Sequence, residues 1–295
     1  MRKFADTPGF LLLGTGLGLG LNFPLGKLAA SAGFAAPLWA AFISLGAGLA
    51  LLAVAWNGDV WPQDRRALAR FSMISGFLSF VMPNLITFTV IPKIGSGLAG
   101  LMFAISPMMT ALLSWLLQVR PPNRLTLAGL ALGFAGALIV VFGREGRFGL
   151  NISPWLLLAL CIPFFLAAGN LYRSIGWPAG AGPKVLGSLT NLASVPMLLA
   201  IALVLRGTID VVPFTHAPGL ALGQLVVSSL MFMLFFRLQQ VGGPTYLSQI
   251  GYVGAAVGLF AGVAFLGERY PLIVWAGAAV IAAGITVSTL ASRRS

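Results

Sequence analysis

Charge is what this sequence has least of. Asp, Glu, Lys and Arg make up 8% of its 295 residues, against roughly 25% in a soluble domain. A chain so poor in charge could not cover a water-facing surface. Acid is scarcer than base, with six Asp and Glu against 18 Lys and Arg. The six are Asp6, Asp59, Asp64, Glu145, Asp210 and Glu268, and all lie outside the centres of the long apolar runs. Ion-coupled pumps place an ionisable group inside the membrane for the proton relay, so this scarcity points to a uniporter or facilitated exporter. The single histidine, His216, sits near the start of an apolar run, and the single cysteine, Cys161, lies inside one, which excludes an intramolecular disulfide. There is no HExxH, no pair of intramembrane aspartates and no His beside a membrane Ser, so no enzyme, metal ligand set or cofactor is expected. The stretch Gly20–Lys27 has the wrong glycine spacing for a phosphate loop, and Leu28 stands where Ser or Thr would be needed.

What the chain has is apolar length. Hydrophobic residues make up 58%, with 37 Gly and 18 Pro, both commoner in membrane helices than in soluble ones. A bilayer core takes roughly 20 apolar residues per helix. Cutting the chain at its charges leaves ten intervals of at least 19 residues: Thr7–Gly26, Leu28–Gly58, Phe71–Pro92, Ile94–Val119, Leu125–Gly143, Phe148–Tyr172, Val185–Leu205, Val211–Phe236, Leu238–Gly267 and Tyr270–Ser292. The intervals between them read as loops too short for a soluble domain. The first run, with its basic start, is no signal peptide, because it has a counterpart in the second half.

The net charge of +12 does not indicate nucleic acid, because the basic residues are scattered singly or in pairs between apolar runs. With the N-terminus cytoplasmic, twelve basic residues fall inside (among them Arg65, Arg66, Arg70, Arg120, Arg173 and Arg237) and six outside (Lys27, Lys93, Arg144, Arg147, Arg206 and Arg269). The positive-inside rule then puts both termini in the cytoplasm.

The chain repeats itself. Ala128-Gly129 and Ala135-Gly136 match Ala276-Gly277 and Ala283-Gly284 at an offset of 148, which also sets Ser106-Pro107 on Gly254-Ala255 and Gln118-Val119-Arg120 on Leu266-Gly267-Glu268. Near offset 146, Pro8, Leu11–Leu13 and Lys27 match Pro154, Leu156–Leu158 and Arg173. Five spans is an odd number, so the second half starts on the opposite side of the membrane. The expected fold is all-α and integral to the membrane: ten transmembrane helices in two inverted five-helix repeats, 1–147 and 148–295, forming one membrane domain. Inverted repeats of this kind build carriers that work by alternating access.

Pro83, Pro107 and Pro163 fall near the middle of their runs. Prolines that break helices at the midplane point to a binding site. Uncharged polar residues at membrane depth include Asn22, Asn84, Ser106, Thr110, Asn170, Tyr172, Gln224, Ser228, Gln249 and Tyr252. Each serves equally well as an interhelical hydrogen bond; as a group they suit a neutral or zwitterionic solute. Asn84, Ser106, Gln249 and Tyr252 are the expected polar contacts, and Phe80, Phe103 and Phe164 the apolar ones. The expected cavity lies between spans one, three and four and their counterparts six, eight and nine. Lys27 and Arg173 each end the first span of a half; snorkelling to the interface explains them, and reaching a substrate carboxylate is the alternative.

The stretch Gly97-Leu-Ala-Gly-Leu-Met-Phe-Ala-Ile-Ser-Pro-Met-Met-Thr-Ala-Leu-Leu-Ser-Trp115 resembles the fourth span of EamA-type members of the drug/metabolite transporter superfamily. Leu266-Gly267-Glu268-Arg269 and the Ala-Gly-rich tenth span are similar to that family's closing signature. The resemblance runs along the whole chain, with the YddG-type exporters of aromatic amino acids as the nearest subgroup. Two departures stand out: Val119-Arg120 where many relatives have Gly-Glu, and Gly254-Ala255 where a proline is common. The resemblance implies ten helices, two repeats and alternating access. The function expected is a secondary carrier in the inner (plasma) membrane, exporting amino acids, aromatic ones included, and related metabolites. Its partners are a small-molecule substrate and the lipid bilayer, and it works as a monomer. A carrier of another metabolite or drug, a passive channel, a scaffold and a lipid-modifying enzyme are the alternatives.

Overall fold

The computed structural model describes residues 7–56, 58, 60–118, 124–143, 153–247 and 250–292. Among them there is no strand. The helices are α1 (Pro8–Ser31), α2 (Ala36–Ala55), α3 (Arg65–Ile94), α4 (Ser96–Leu116), α5 (Arg124–Gly143), α6 (Pro154–Ile175), α7 (Pro183–Arg206), α8 (Pro218–Leu247), α9 (Ile250–Leu266) and α10 (Leu272–Ser292). A single turn, Val212–His216, precedes α8. Seven helices are long and apolar enough to cross a membrane, and Leu127–Val140 in α5, α9 and Leu272–Gly284 in α10 are shorter apolar segments.

Charge marks the ends of these helices less sharply than the composition suggests. α3 starts at Arg65, six residues before the apolar run at Phe71, because Asp64 caps it, accepting hydrogen bonds from the amides of Arg66 and Ala67 at 2.9 Å each. α8 runs straight through Arg237, where a loop is expected. The Arg237 side chain is exposed, and a long cation of that kind needs no break in the helix to reach the interface.

The midplane prolines do less to the backbone than expected. α4 continues through Pro107. α3 has a π-helical turn, Phe77–Val81, just before Pro83, and α6 is interrupted at Leu160, before Pro163. These two deviations sit where π-turns and kinks are usually found, next to proline.

The principal packing partners are α5 with α10, α2 with α7, α4 with α9, α1 with α8 and α9, and α6 with α3 and α4. Every one of these pairs is preserved when each helix is exchanged for the one five places along. Two seams are close enough to need glycine. A Cβ on Gly284 would stand 2.5 Å from the Gly133 amide nitrogen and 2.7 Å from the Gly129 carbonyl, and one on Gly136 would stand 2.6 Å from the Ile281 nitrogen. The Ala-Gly pairs that match at an offset of 148 therefore pack against each other. In the second seam, a Cβ on Gly20 of α1 would lie 2.8 Å from the Gly254 carbonyl of α9, a close approach typical of small-residue contacts in lipid.

The equivalence is incomplete, most clearly around α1. α1 also packs on α3 and α4, whereas no comparable contact of α6 with α8 and α9 is present among the described residues. α4 and α9 are each followed by a left-handed residue, Gln118 (φ 57°) and Gly267 (φ 61°). They pair at an offset of 149, one residue beyond the match to Leu266.

Candidate functional site

Where α6 stands away from α8 and α9, a cavity opens. It is lined from α1 (Thr15, Leu19, Asn22, Phe23), α3 (Ser79 to Phe88), α4 (Phe103, Ser106, Pro107), α6 (Leu166, Asn170, Arg173), α8 (Met231, Phe232, Phe235) and the start of α9, with Ile43 from α2. The cavity has a volume of about 160 Å³.

The expected contact residues divide. Phe80, Asn84, Phe103 and Ser106 line the cavity. Phe80 stacks edge-on against Phe232 at 5.5 Å, and Phe103 against Phe23 at 5.1 Å. Tyr252, one turn into α9, is absent from the lining and packs against the apolar core. Phe164 points outward, 46% exposed, because its place on α6 lies across the helix from the cavity-facing Leu166, Asn170 and Arg173. Gln249 lies outside the described residues.

Three lining hydroxyls were not anticipated: Thr15, Ser79 and Thr87. All are buried and have no hydrogen-bond partner among the described residues. Ser79 is delivered by the π-helical turn of α3, and a Cβ on Gly169 of α6 would collide with its Oγ. Buried polar groups normally find partners, so these three hydroxyls are available to a solute in the cavity, whereas unpartnered hydroxyls elsewhere in the core, such as those of Ser44 and Ser75, are not. Other polar residues serve structure instead. Gln224 of α8 donates to the Asn22 Oδ1, the Asn22 amide donates to the Gly18 carbonyl at 2.9 Å, and Ser228 donates to the Gln224 carbonyl at 2.8 Å.

One cation faces the cavity, Arg173. Its guanidinium donates to the Asn170 Oδ1 at 2.5 Å; the Asn170 amide faces Thr110 Oγ1 at 3.5 Å, and Thr110 donates to the Ser106 carbonyl at 2.8 Å. No carboxylate pairs with Arg173 among the described residues. It also borders a small pocket against Phe71 and Trp177.

The opposite end of the molecule is closed. Phe88 lines both the central cavity and a second space of about 480 Å³ that contains Lys27 and Arg206, so its ring stands between the two. A Cβ on Gly26 would lie 2.5 Å from that ring, which shows how tightly α1 and α3 meet there. Beside this wall Lys27 donates to Glu268 Oε1 at 2.6 Å. The same carboxylate accepts from the Ser96 amide at 2.8 Å, the Ser96 hydroxyl at 3.1 Å and the Gly97 amide at 3.2 Å, and the Tyr270 hydroxyl donates to it as well. Lys27 is therefore engaged in an ion pair, and Glu268 ties α1 to the first turn of α4. Burial works to raise the Glu268 pKa, but the hydrogen bonds from Lys27, Tyr270, Ser96 and Gly97 outweigh it and hold the carboxyl below its ordinary range. Burial and the neighbouring carboxylate push the Tyr270 hydroxyl well above its usual range, so it stays a donor.

Sequence and structure comparisons agree with this architecture. Residues 8–142 match the EamA-like transporter family. A crystal structure superposes with a TM-score of 0.60 at 18% identity, covering 95% of this chain and 96% of the other, a likeness of fold. Comparison with curated proteins finds no match. With the apolar helices, the family match makes this a multi-pass membrane protein.

Proposed function

We propose that the chain is a secondary carrier of the inner membrane, moving amino acids, aromatic ones among them, and related small metabolites by alternating access. In this reading residues 1–147 and 148–295 are two inverted five-helix repeats with both termini in the cytoplasm. The observation that carries it is a cavity between α1, α3, α4, α6, α8 and α9, open where α6 parts from its neighbours and walled by Phe88 and the Lys27–Glu268 pair at the other end. A central cavity closed at one end is what a carrier needs at one stage of its cycle, whereas a channel needs continuity. The exchange of packing partners every five helices supports the repeat, and the α1 contacts with α3 and α4, which lack counterparts between α6 and α8 or α9 among the described residues, are the ones whose mates would form when the other face closes. The absence of an acidic residue from the lining, among the described residues, favours facilitated movement over proton exchange. Asn84, Ser106, Phe80 and Phe103 are its proposed contact residues, with Gln249 and Tyr252 on α9 and its approach closing in another stage and Phe164 flanking.

The test is uptake of labelled phenylalanine, threonine and a neutral sugar into liposomes containing the purified protein. Saturable flux of one of them, with countertransport and no need for a pH gradient, is expected. Flux that rises without saturation and shows no exchange would identify a channel instead.

A further inference from the structure

Among the described residues the cavity holds one formal charge and nothing to balance it. Arg173 reaches it from α6, and its guanidinium has one partner among the described residues, the Asn170 Oδ1. A guanidinium offers five donors in a planar fork, so most of its hydrogen-bonding capacity is unused. A largely unpaired cation facing an interior cavity of a membrane protein is costly and is kept where it does something. Its counterpart in the other half shows the contrast. Lys27 ends α1 as Arg173 ends α6, and Lys27 is neutralised by Glu268. The left-handed pair Gln118 and Gly267 sets the register between the halves, and in that register the residue matching Glu268 is Val119. The carboxylate that satisfies one cation has no equivalent for the other.

The remaining lining completes the description of a ligand. No acidic residue contributes to it among the described residues. Six phenylalanines do: Phe23, Phe80, Phe88, Phe103, Phe232 and Phe235. Thr15, Ser79 and Thr87 add buried hydroxyls without partners, each able to donate and accept. We propose that the preferred cargo is a monoanionic aromatic carboxylate, held head-first by Arg173 and Asn170 with its ring among the phenylalanines, and that a zwitterionic amino acid is a poor second. The reason is the ammonium. In an α-amino acid it is carried on the carbon next to the carboxylate, so a carboxylate seated on Arg173 draws a second cation to within a few ångströms of the guanidinium. Nothing in the lining offers that ammonium a counter-charge, and like charges in a low-dielectric site repel strongly. The carboxylate itself gains a charge-assisted, bidentate partner, and the ring gains apolar and edge-to-face contacts.

The proposal rests on the carrier reading above and narrows its substrate class. It is tested by counterflow at pH 7.5 in liposomes containing the whole chain, with 3-phenylpropionate, phenylalanine and phenethylamine, three solutes that share a ring and differ in charge. Leak into protein-free liposomes is subtracted. The expected result is a half-saturation for 3-phenylpropionate at least about tenfold below that for phenylalanine, with phenethylamine excluded. Arg173→Gln should raise the 3-phenylpropionate value at least about tenfold and abolish the preference over phenylalanine; Arg173→Lys, which keeps the charge and loses the fork, should fall between. Equal or better handling of phenylalanine by the unaltered protein overturns the proposal, and so does an Arg173→Gln protein that moves all three solutes as before. If Arg173→Gln cannot be recovered as a monodisperse protein, the ranking of the three solutes by the unaltered protein decides alone. Saturable movement of a sugar or other uncharged solute, with none of the three carried, sinks this inference and leaves the carrier standing. No saturable movement of any solute sinks the carrier reading itself.

Discussion

Glu268 and Gln118 show how single residues set the behaviour of whole helix ends. Glu268 takes a cation from α1 and two backbone amides from α4 on one carboxylate, and its pKa lies below the ordinary carboxylate value of 4.5. A carboxyl depressed by folding stabilises the fold above its unfolded pKa, and that contribution disappears as pH falls through the folded value. The melting temperature in detergent should therefore drop on acidification below about pH 4.5, and Glu268→Gln should remove part of that slope. Removing Lys27 alone, as Lys27→Met, should cost on the order of 2 kcal/mol, between the values for exposed and buried pairs. The double variant should lose less than the two single losses added together, which a melting series would reveal. Gln118 occupies a left-handed conformation that disfavours side chains. Gln118→Gly should raise the melting temperature by about 2 °C, a gain of about 0.5–1 kcal/mol. At this scale the sequence was least legible. Lys27 and Arg173 stood out by their matched positions, but whether each cation finds a carboxylate depends on a contact 241 residues away, which no local pattern records. The orphan hydroxyls of Thr15, Ser79 and Thr87 were equally hidden, since a buried hydroxyl with a partner and one without look the same in a string of letters.

Helices were easier to find than their ends. Apolar runs of membrane length need no tertiary information, and each long run does contain a helix. Cutting at charges failed at Arg65 and Arg237, because a cap and an outward-reaching cation let a helix continue through polar residues. Phe164 and Tyr252 lie outside the cavity lining for a related reason: composition places a residue in a helix, while packing decides which face it occupies. The α5–α10 seam is the element most open to test. Gly284→Ala would set a Cβ 2.5 Å from the Gly133 nitrogen, and backbone atoms cannot yield cheaply, so a loss of about 1–3 kcal/mol is expected. Gly223→Ala on α8, where a Cβ meets nothing within 4 Å, should instead gain about 0.5–1 kcal/mol from helix propensity. Melting the two variants side by side checks both signs. If both lost stability, the close approach of α5 and α10 would not be the cause.

At the scale of the molecule, alternating access requires the Lys27 end to open while the Arg173 end shuts. In a Cys161→Ser background, Lys27→Cys with Glu268→Cys joined by a short bifunctional maleimide should arrest transport, while each single cysteine treated the same way should leave it running. Continued flux in the joined protein would mean that this end never parts. The unequal treatment of the two ends has a consequence of its own. In the proposed carrier, a rocking body with a latch on one side only would have a resting position, so the empty protein would dwell facing the unlatched side. Detailed balance forbids such a bias from concentrating anything, because the latch costs as much to reopen as it gives on closing. It can still make the two faces differ: cargo arriving at the unlatched face meets a vacant seat, while cargo at the other face must wait for a rare excursion. The half-saturation measured from the two sides should then differ by the dwell ratio, with the same equilibrium reached from either.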